Sequence, residues 1–270
     1  MRDTDIPFAV SLTDYENWGY LPDDFRRLLS YEAAGCFVVC EGGESAGIVT
    51  TTSYDDFAFI GSLIVEEHHR GKGIGQALMS QAIEYLRGRG VKSMELDGVF
   101  HAVSLYRRLG FRDKYLSLRF MRKAQEQHKT PMPDRINNAE EIIAYDKAAT
   151  GLDRSRVIRE YFGEGSGAVY VEKKAEIRGY GIVRPRAGGI FGIGPVVCND
   201  DSVGRQLMHR MVAGHGHHEL EMGVPEINRE AIEICRELGF EYRMPSLRMY
   251  RGDKRDYERN IYCIFSPEKG

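Results

Sequence analysis

The sequence of 270 residues predicts an α/β chain made of two copies of one folding unit, and three observations carry that reading. Apolar runs of strand length alternate along the chain with amphipathic stretches of helical period. Residues 99–122 align without a gap on residues 228–251, with Ala102/Ala231, Leu109-Gly110-Phe111/Leu238-Gly239-Phe240 and Ser117-Leu118-Arg119/Ser246-Leu247-Arg248 as identical pairs. One such triplet arises easily by chance, but a second at the same offset does not, so the chain reads as a tandem duplication. Between the copies, residues 124–134 lose apolar periodicity and hold Pro131 and Pro133, which marks a linker.

Within the first copy the elements follow in order. Tyr15, Trp18, Tyr20, Leu21, Phe25, Leu28 and Leu29 recur at roughly helical spacing between Asp14 and Ser30, and Pro22-Asp23-Asp24 restarts the pattern, so two short helices are expected there. Cys36 to Cys40 and Ala46 to Thr52 are β-rich runs joined by the hairpin-like turn Glu41-Gly42-Gly43-Glu44. Phe57 to Val65 is a third strand. From Gln76 to Leu86 a helix would put Leu78, Met79, Ala82, Ile83 and Leu86 on one face. Lys92 to Leu96 reads as a strand, Ala102 to Leu109 as a helix closed by Gly110, and Tyr115 to Arg122 as a last strand. In the second copy Ala168 to Val171 and Tyr180 to Val183 mirror the early strands, and Gly194-Pro195-Val196-Val197 mirrors Gly61-Ser62-Leu63-Ile64.

Composition narrows the function. With 37 basic and 40 acidic residues the net charge is −3, so no global field draws nucleic acid or an anionic membrane, and neither is expected as a partner. No apolar stretch approaches the ~20 residues of a membrane helix, and the opening Met1-Arg2-Asp3-Thr4-Asp5 lacks the apolar core of a signal peptide, so a cytoplasmic chain is expected. Cys36, Cys40, Cys198, Cys235 and Cys263 are odd in number, sit mostly in apolar contexts and show no zinc spacing, which suits reduced core thiols.

The third strand runs into Arg70-Gly71-Lys72-Gly73-Ile74-Gly75 and then into the long helix. At such a junction the first helical N–H groups lack intrahelical acceptors and the helix dipole favours an anion, so the turn is a candidate pyrophosphate cradle. A glycine-rich turn serving geometry alone is the plainer alternative. A Walker loop is excluded because Lys72 stands between glycines and no Ser or Thr follows, and a Rossmann loop because the glycines fall at 71, 73 and 75.

The segment from Arg70 to Gly75 resembles the Arg/Gln-x-x-Gly-x-Gly/Ala loop of the GNAT acetyltransferases, and the element order of residues 1–123 and the ending Leu105-Tyr106-Arg107-Arg108-Leu109-Gly110-Phe111 resemble the same family. The resemblance implies two tandem GNAT folds, each a mixed, mostly antiparallel sheet flanked by helices: a catalytic domain over 1–123, the linker, and a degenerate GNAT-like domain over 135–270 that shapes the acceptor site or is structural. That second unit also resembles the C-terminal domain of some bacterial GNATs, through Asp146, Gly151-Leu152-Asp153-Arg154 and Met249-Tyr250-Arg251-Gly252. By resemblance Arg70, Gly71, Lys72, Gly73, Ile74, Gly75 and Gln76 hold the pyrophosphate of acetyl-coenzyme A, the cosubstrate, with no metal. The backbone of Leu63, Ile64 and Val65 pairs with the pantetheine arm like a missing strand.

The copies differ where chemistry would occur. The counterpart of the whole stretch Val65 to Gly75, Val197-Cys198-Asn199-Asp200-Asp201-Ser202-Val203-Gly204, is three residues shorter and sets two aspartates where a diphosphate would sit. Like charges that close repel by ~1 to 4 kcal/mol, so it should reject coenzyme A. Tyr106 aligns with Cys235. The family's tyrosine there serves as general acid toward the departing thiolate, whereas a tyrosine on this helix could equally be packing. The family's Asn is Asn228 in the second copy but Val99 in the first. No carboxylate lies within Phe57 to Val65, so Asp55, Asp56, Glu66, Glu67, Asp97 or a water chain compete as base. His68-His69 and His215-Gly216-His217-His218 read as solvated or polar turns rather than metal ligands, and Arg107 and Arg108 as charges that either reach the 3′-phosphate of coenzyme A or solvate the last helix turn, the surface reading being preferred. The expected function is acetyl transfer from acetyl-coenzyme A to a primary amine of a small molecule or a peptide. A regulatory module that binds acyl-coenzyme A without turnover is the alternative.

Overall fold

The computed structural model describes residues 1–126, 132–134, 139–162 and 167–270, so the middle of the linker, 127–131, lies outside the described residues. In chain order the elements are α1 (Ile6–Tyr15), α2 (Pro22–Glu32), β1 (Phe37–Glu41), β2 (Glu44–Tyr54), β3 (Phe57–Val65), α3 (Ile74–Gly88), β4 (Ser93–Gly98), α4 (Val103–Arg108) and β5 (Arg112–Arg122). After the linker come α5 (Ala139–Thr150), α6 (Ser155–Arg159), β6 (Ala168–Lys173), β7 (Ile177–Pro185), β8 (Phe191–Cys198), α7 (Asp201–His215), β9 (Leu220–Pro225), α8 (Arg229–Glu237), β10 (Glu241–Gly252) and β11 (Ile261–Cys263).

The chain forms two compact units. Unit 1 takes residues 1–114 with Arg248–Lys254 and Pro267–Lys269, and unit 2 takes Tyr115–Leu247 with Arg255–Ser266 and Gly270. The division into 1–123 and 135–270 follows the repeats along the sequence. The compact units instead exchange the strands that close each repeat, since most of β5 lies in unit 2 and the end of β10 in unit 1.

In unit 1 the strand order is β1-β2-β3-β4-β10. The β1/β2 and β2/β3 pairs are antiparallel and β3/β4 is parallel. Leu78, Met79, Ala82, Ile83 and Leu86 are the buried residues of α3, the face its periodicity predicts, and each fully buried Leu or Ile contributes about 1.5–3 kcal/mol. In unit 2 the order is β5-β9-β8-β7-β6, again antiparallel except for parallel β8/β9. Its core gathers Leu207, Met208, Met211, Ile234 and Cys235 from α7 and α8 over Val196, Met222 and Val224 of the sheet. No helix among the described residues is long and apolar enough to cross a membrane.

Two local expectations are corrected. The first helix is α1, which starts at Ile6 with Pro7 in its first turn and buries Ile6, Ala9 and Leu12, so it precedes most of the stretch from Asp14 to Ser30. It stops where Asn17 turns left-handed (φ 57°) and the amides of Asn17 and Trp18 bond back to the carbonyls of Asp14 and Thr13, a Schellman ending. Trp18 and Tyr20 keep helical spacing in sequence but lie in the turn beyond it. The second correction concerns His215, which is the last residue of α7 rather than part of a polar turn. It packs against Tyr170 and Phe191 at ring distances of 6.0 and 5.4 Å, and burial pushes its pKa down to about 4.

Candidate functional site

The site grows from the way β3 ends. β3 and β4 pair in parallel only at Phe57↔Ser93, Ala58↔Met94 and Phe59↔Glu95, and beyond Phe59 the two strands part. On its other edge β3 carries a bulge: the register to β2 moves from Thr50↔Gly61 to Ile48↔Ile64, so Ser62 and Leu63 face the single residue Val49. Ser62 takes a left-handed φ of 49°, and its buried hydroxyl has no hydrogen-bond partner among the described residues. Leu63, Ile64 and Val65 therefore form a strand end whose edge toward β4 is paired with no strand among the described residues, only the Val65 carbonyl being held, by Arg70 Nε.

The chain then passes a short turn of 3-10 helix at Glu67–His69 and enters α3. Gly71 and Gly73 have φ of 80° and 82°, a region open to glycine, and a Cβ built on either meets nothing within 4 Å. Gly73 is the N-cap of α3 and supplies no side-chain cap. The first backbone bond of the helix is Ala77 N–H to Gly73 C=O, so the amides of residues 71–76 find no acceptor among the described residues. Six adjacent unsatisfied donors at the positive end of a helix of 15 residues make an anion cradle.

The side chains around it are tied down. Arg70 donates from Nε to the Val65 carbonyl at 2.9 Å and from Nη2 to Glu16 at 2.7 Å, with its guanidinium over the Tyr15 ring. Lys72 Nζ and His69 Nδ1 each lie 2.6 Å from Glu41 Oε2, and Lys72 first, then His69, hold the Glu41 carboxyl below its ordinary range. His69 is thus engaged with a carboxylate rather than simply solvated. Ile74, Gly75 and Gln76 open α3, and a Cβ built on Gly75 would lie in van der Waals range of Val65 and Leu105.

Tyr106 of α4 stands beside the other arm. Its ring lies against Gly98, where an added Cβ would come within 2.9 Å, and edge-on to Phe111 at 6.3 Å. The residue is only 5% exposed, burial alone pushes the phenol above its ordinary value, and the hydroxyl has no protein hydrogen-bond partner among the described residues. The same arm carries a buried ionic group: Lys114 Nζ lies 2.5 Å from Glu95, Arg248 Nε 2.6 Å from Asp97, and the Arg248 guanidinium covers the Phe59 ring at 4.9 Å.

These placements sort the carboxylates. Asp55 and Asp56 occupy the β2–β3 turn, six residues or more, roughly 20 Å of strand, before the bulge at Ser62. Glu66 accepts the His68 amide and Glu67 the Tyr15 hydroxyl, beyond the end of β3. Asp97 neutralises a fully buried guanidinium. Arg107 forms a two-pronged contact with Asp113 at 3.1 and 2.6 Å, on the surface. Arg248, visible in the sequence only as part of the repeated Ser-Leu-Arg, and Glu268 carry no local signal of the distant contacts that they make in unit 1.

In unit 2 the corresponding features are closed by the chain itself. β8 and β9 again pair at only three positions, but β11 fills the gap: Ile261 and Cys263 pair with Val197 and Val196, and the Ile264 amide bonds the Gly223 carbonyl. Val196 and Val197 are the counterparts of Leu63 and Ile64. At the start of α7 the Asp200 carboxylate accepts the amides of Ser202 (2.8 Å) and Val203 (3.3 Å), occupying the helix terminus that Gly73 leaves open. Asn228 proves to be the N-cap of α8, accepting the Ala231 amide at 3.0 Å, and its Nδ2 holds the Ile261 carbonyl of β11. Cys235 is fully buried with Sγ 3.4 Å from Met222 Sδ.

Both units thus carry a parallel strand pair that parts beside a helix terminus, open in unit 1 and capped in unit 2. Residues 8–111 match the acetyltransferase (GNAT) family model and residues 142–263 match an acetyltransferase (GNAT) domain model, and the chain belongs to the GNAT superfamily as a tandem acyltransferase. It is 25% identical over 264 residues to the holothin acyltransferase of Pseudoalteromonas sp. (strain SANK 73390), a match covering 94% of this chain and 88% of that one. Among solved structures, that of a candidate acetyltransferase from Pyrococcus horikoshii shares its fold with a TM-score of 0.84 at 24% identity, over 100% of this chain and 94% of that one. A tandem GNAT protein from the clavulanic acid biosynthesis pathway does so with a TM-score of 0.60 at 15% identity, covering 94% and 97% of the two chains.

Proposed function

We propose that unit 1 transfers an acetyl group from acetyl-coenzyme A to a primary amine of a small molecule or a peptide, with Tyr106 as general acid, and that unit 2 holds no coenzyme. The carrying observation is the contrast between the units. The six amides of residues 71–76 and the unpaired strand end at Leu63 to Val65 are open in unit 1, while Asp200 and β11 close their counterparts in unit 2.

The cosubstrate supplies a thioester whose acetyl carbon an amine can attack. Backbone donors of Gly71, Lys72, Gly73, Ile74, Gly75 and Gln76 would hold its diphosphate, with Arg70 and Lys72 adding positive charge, and the backbone of Leu63, Ile64 and Val65 would pair with its amide-bearing arm. Tyr106 then gives its proton to the thiolate as the carbon–sulfur bond breaks and the carbon–nitrogen bond is made. A phenol raised by burial stays protonated through the neutral range, as an acid must.

The reading is tested by supplying acetyl-coenzyme A with a panel of small primary amines and peptide N-termini and following free thiol. Amine-dependent release is expected with at least one acceptor class, and its absence across the panel, with the coenzyme bound, would reject turnover.

A further inference from the structure

β3 has no carboxylate of its own, its nine residues being Phe-Ala-Phe-Ile-Gly-Ser-Leu-Ile-Val. One reaches it from Pro267–Lys269, which belong to unit 1. A Cβ built on Gly61 would fall 2.1 Å from the Cβ of Glu268 and 2.8 Å from its Cα, so Glu268 begins where a side chain of residue 61 would begin. Only glycine at 61 allows this approach. The segment is fixed there by the Tyr20 hydroxyl, which donates to Glu268 Oε2 at 2.5 Å, and by the Tyr54 hydroxyl, which donates to the Lys269 carbonyl at 2.9 Å. Lys269 Nζ lies 3.0 Å from Glu268 Oε1, and both residues are 1% exposed.

The position along the strand matters. Parallel strands advance together, about 3.3 Å per residue, so counting on from Phe59↔Glu95 sets Gly61 level with Asp97, and Ser62 level with Gly98, against which the Tyr106 ring packs. Glu268 is therefore one residue from the bulge, on the arm opposite Tyr106. Strand alternation puts Phe57, Phe59 and Gly61 on one face, so Glu268 shares its face with Arg248, which covers Phe59.

We propose that Glu268 is the acceptor-side base of the acetyl-transfer site, taking the place of a strand carboxylate at residue 61. The proposal rests on the acetyl-transfer reading above. As the amine nitrogen bonds to the acetyl carbon, the proton it releases passes to Glu268, directly or over one water, while the carbon–sulfur bond breaks and Tyr106 protonates the sulfur. One proton is taken on the β3 side and one given on the β4 side. Asp97 is the poorer receiver because its partner is a guanidinium that cannot give up a proton, whereas the ammonium and phenol around Glu268 can redistribute theirs.

The test uses the full chain with Glu268→Gln and Glu268→Asp, measuring coenzyme A affinity by titration, Tm, and kcat/KM for a small primary amine against pH. In Glu268→Gln the affinity holds, kcat/KM falls about 10²-fold near neutrality, and its profile keeps climbing with pH as hydroxide takes over the proton. Wild-type kcat/KM and pH profile in that variant, at unchanged coenzyme affinity, would overturn the proposal. Should Glu268→Gln not fold, Glu268→Asp decides: its carboxylate retreats by one methylene, which lowers kcat/KM about 10-fold if it is the base and leaves it unchanged if its role is structural. Failure of the wild-type chain to bind the coenzyme or transfer acetyl would instead reject the reading beneath it.

Discussion

Replacing Gly73 by aspartate is expected to abolish coenzyme A binding while the chain stays folded. The expectation follows from two properties of one position. Gly73 holds a φ of 82°, which a residue with a Cβ adopts only under strain of about 1–3 kcal/mol, and it is the N-cap of the helix whose terminal amides are open. A carboxylate there would accept those amides, as Asp200 accepts the amides of Ser202 and Val203 at the start of α7. The variant would thus convert the open terminus of unit 1 into the closed one of unit 2, and place a negative charge where two phosphates must sit. Because no atom lies within 4 Å of the built Cβ, the change does not disturb packing, and Tm should move by only a few degrees. Affinity should fall by at least ~10²-fold, since one misplaced charge and two or more lost charge-assisted bonds each cost more than about 1 kcal/mol. Titration of coenzyme A into the folded variant checks this, and unchanged affinity would show that the cradle is elsewhere.

Tyr106→Phe is expected to lower kcat by ~10² to 10⁴-fold with coenzyme A affinity unchanged, the range of a single general-acid contribution. The substitution keeps the ring against Gly98 and Phe111 and deletes only a hydroxyl that has no protein partner among the described residues, so it leaves no buried group unsatisfied. Cys235→Ala in unit 2 is the matched control. Its sulfur is packed against Met222 in a closed core, so that change should cost about 1 kcal/mol of stability and leave turnover intact. Wild-type turnover in Tyr106→Phe, measured where chemistry limits the rate, would return the tyrosine to the core.

What the sequence revealed was what adjacent residues decide. The strand Phe57–Val65, the glycine loop and the buried face of α3 are local patterns, and all three stand where periodicity and glycine placement put them. The duplication was legible because it is a comparison of the chain with itself. Apolar spacing misled at Trp18 and Tyr20, since a left-handed Asn17 ends α1 without any break in the apolar count. The two aspartates of the second loop raised a charge argument against a phosphate there, but the N-cap at Asp200 and the strand in the gap needed three dimensions to see. The pairing of β11 with β8, the contact of Glu268 with Gly61 and the pairing of Arg248 with Asp97 were invisible for a common reason. Each reaches across 60 or more residues of chain, and such pairings leave no period, spacing or composition to read.

The central claim is that one of two homologous units keeps an open coenzyme site while the chain itself closes the other. Isothermal titration of coenzyme A into the intact chain tests it most directly. One site per chain is predicted, lost in Gly73→Asp and retained in Tyr106→Phe. Two equivalent sites, or a single site that survives Gly73→Asp unchanged, would contradict it.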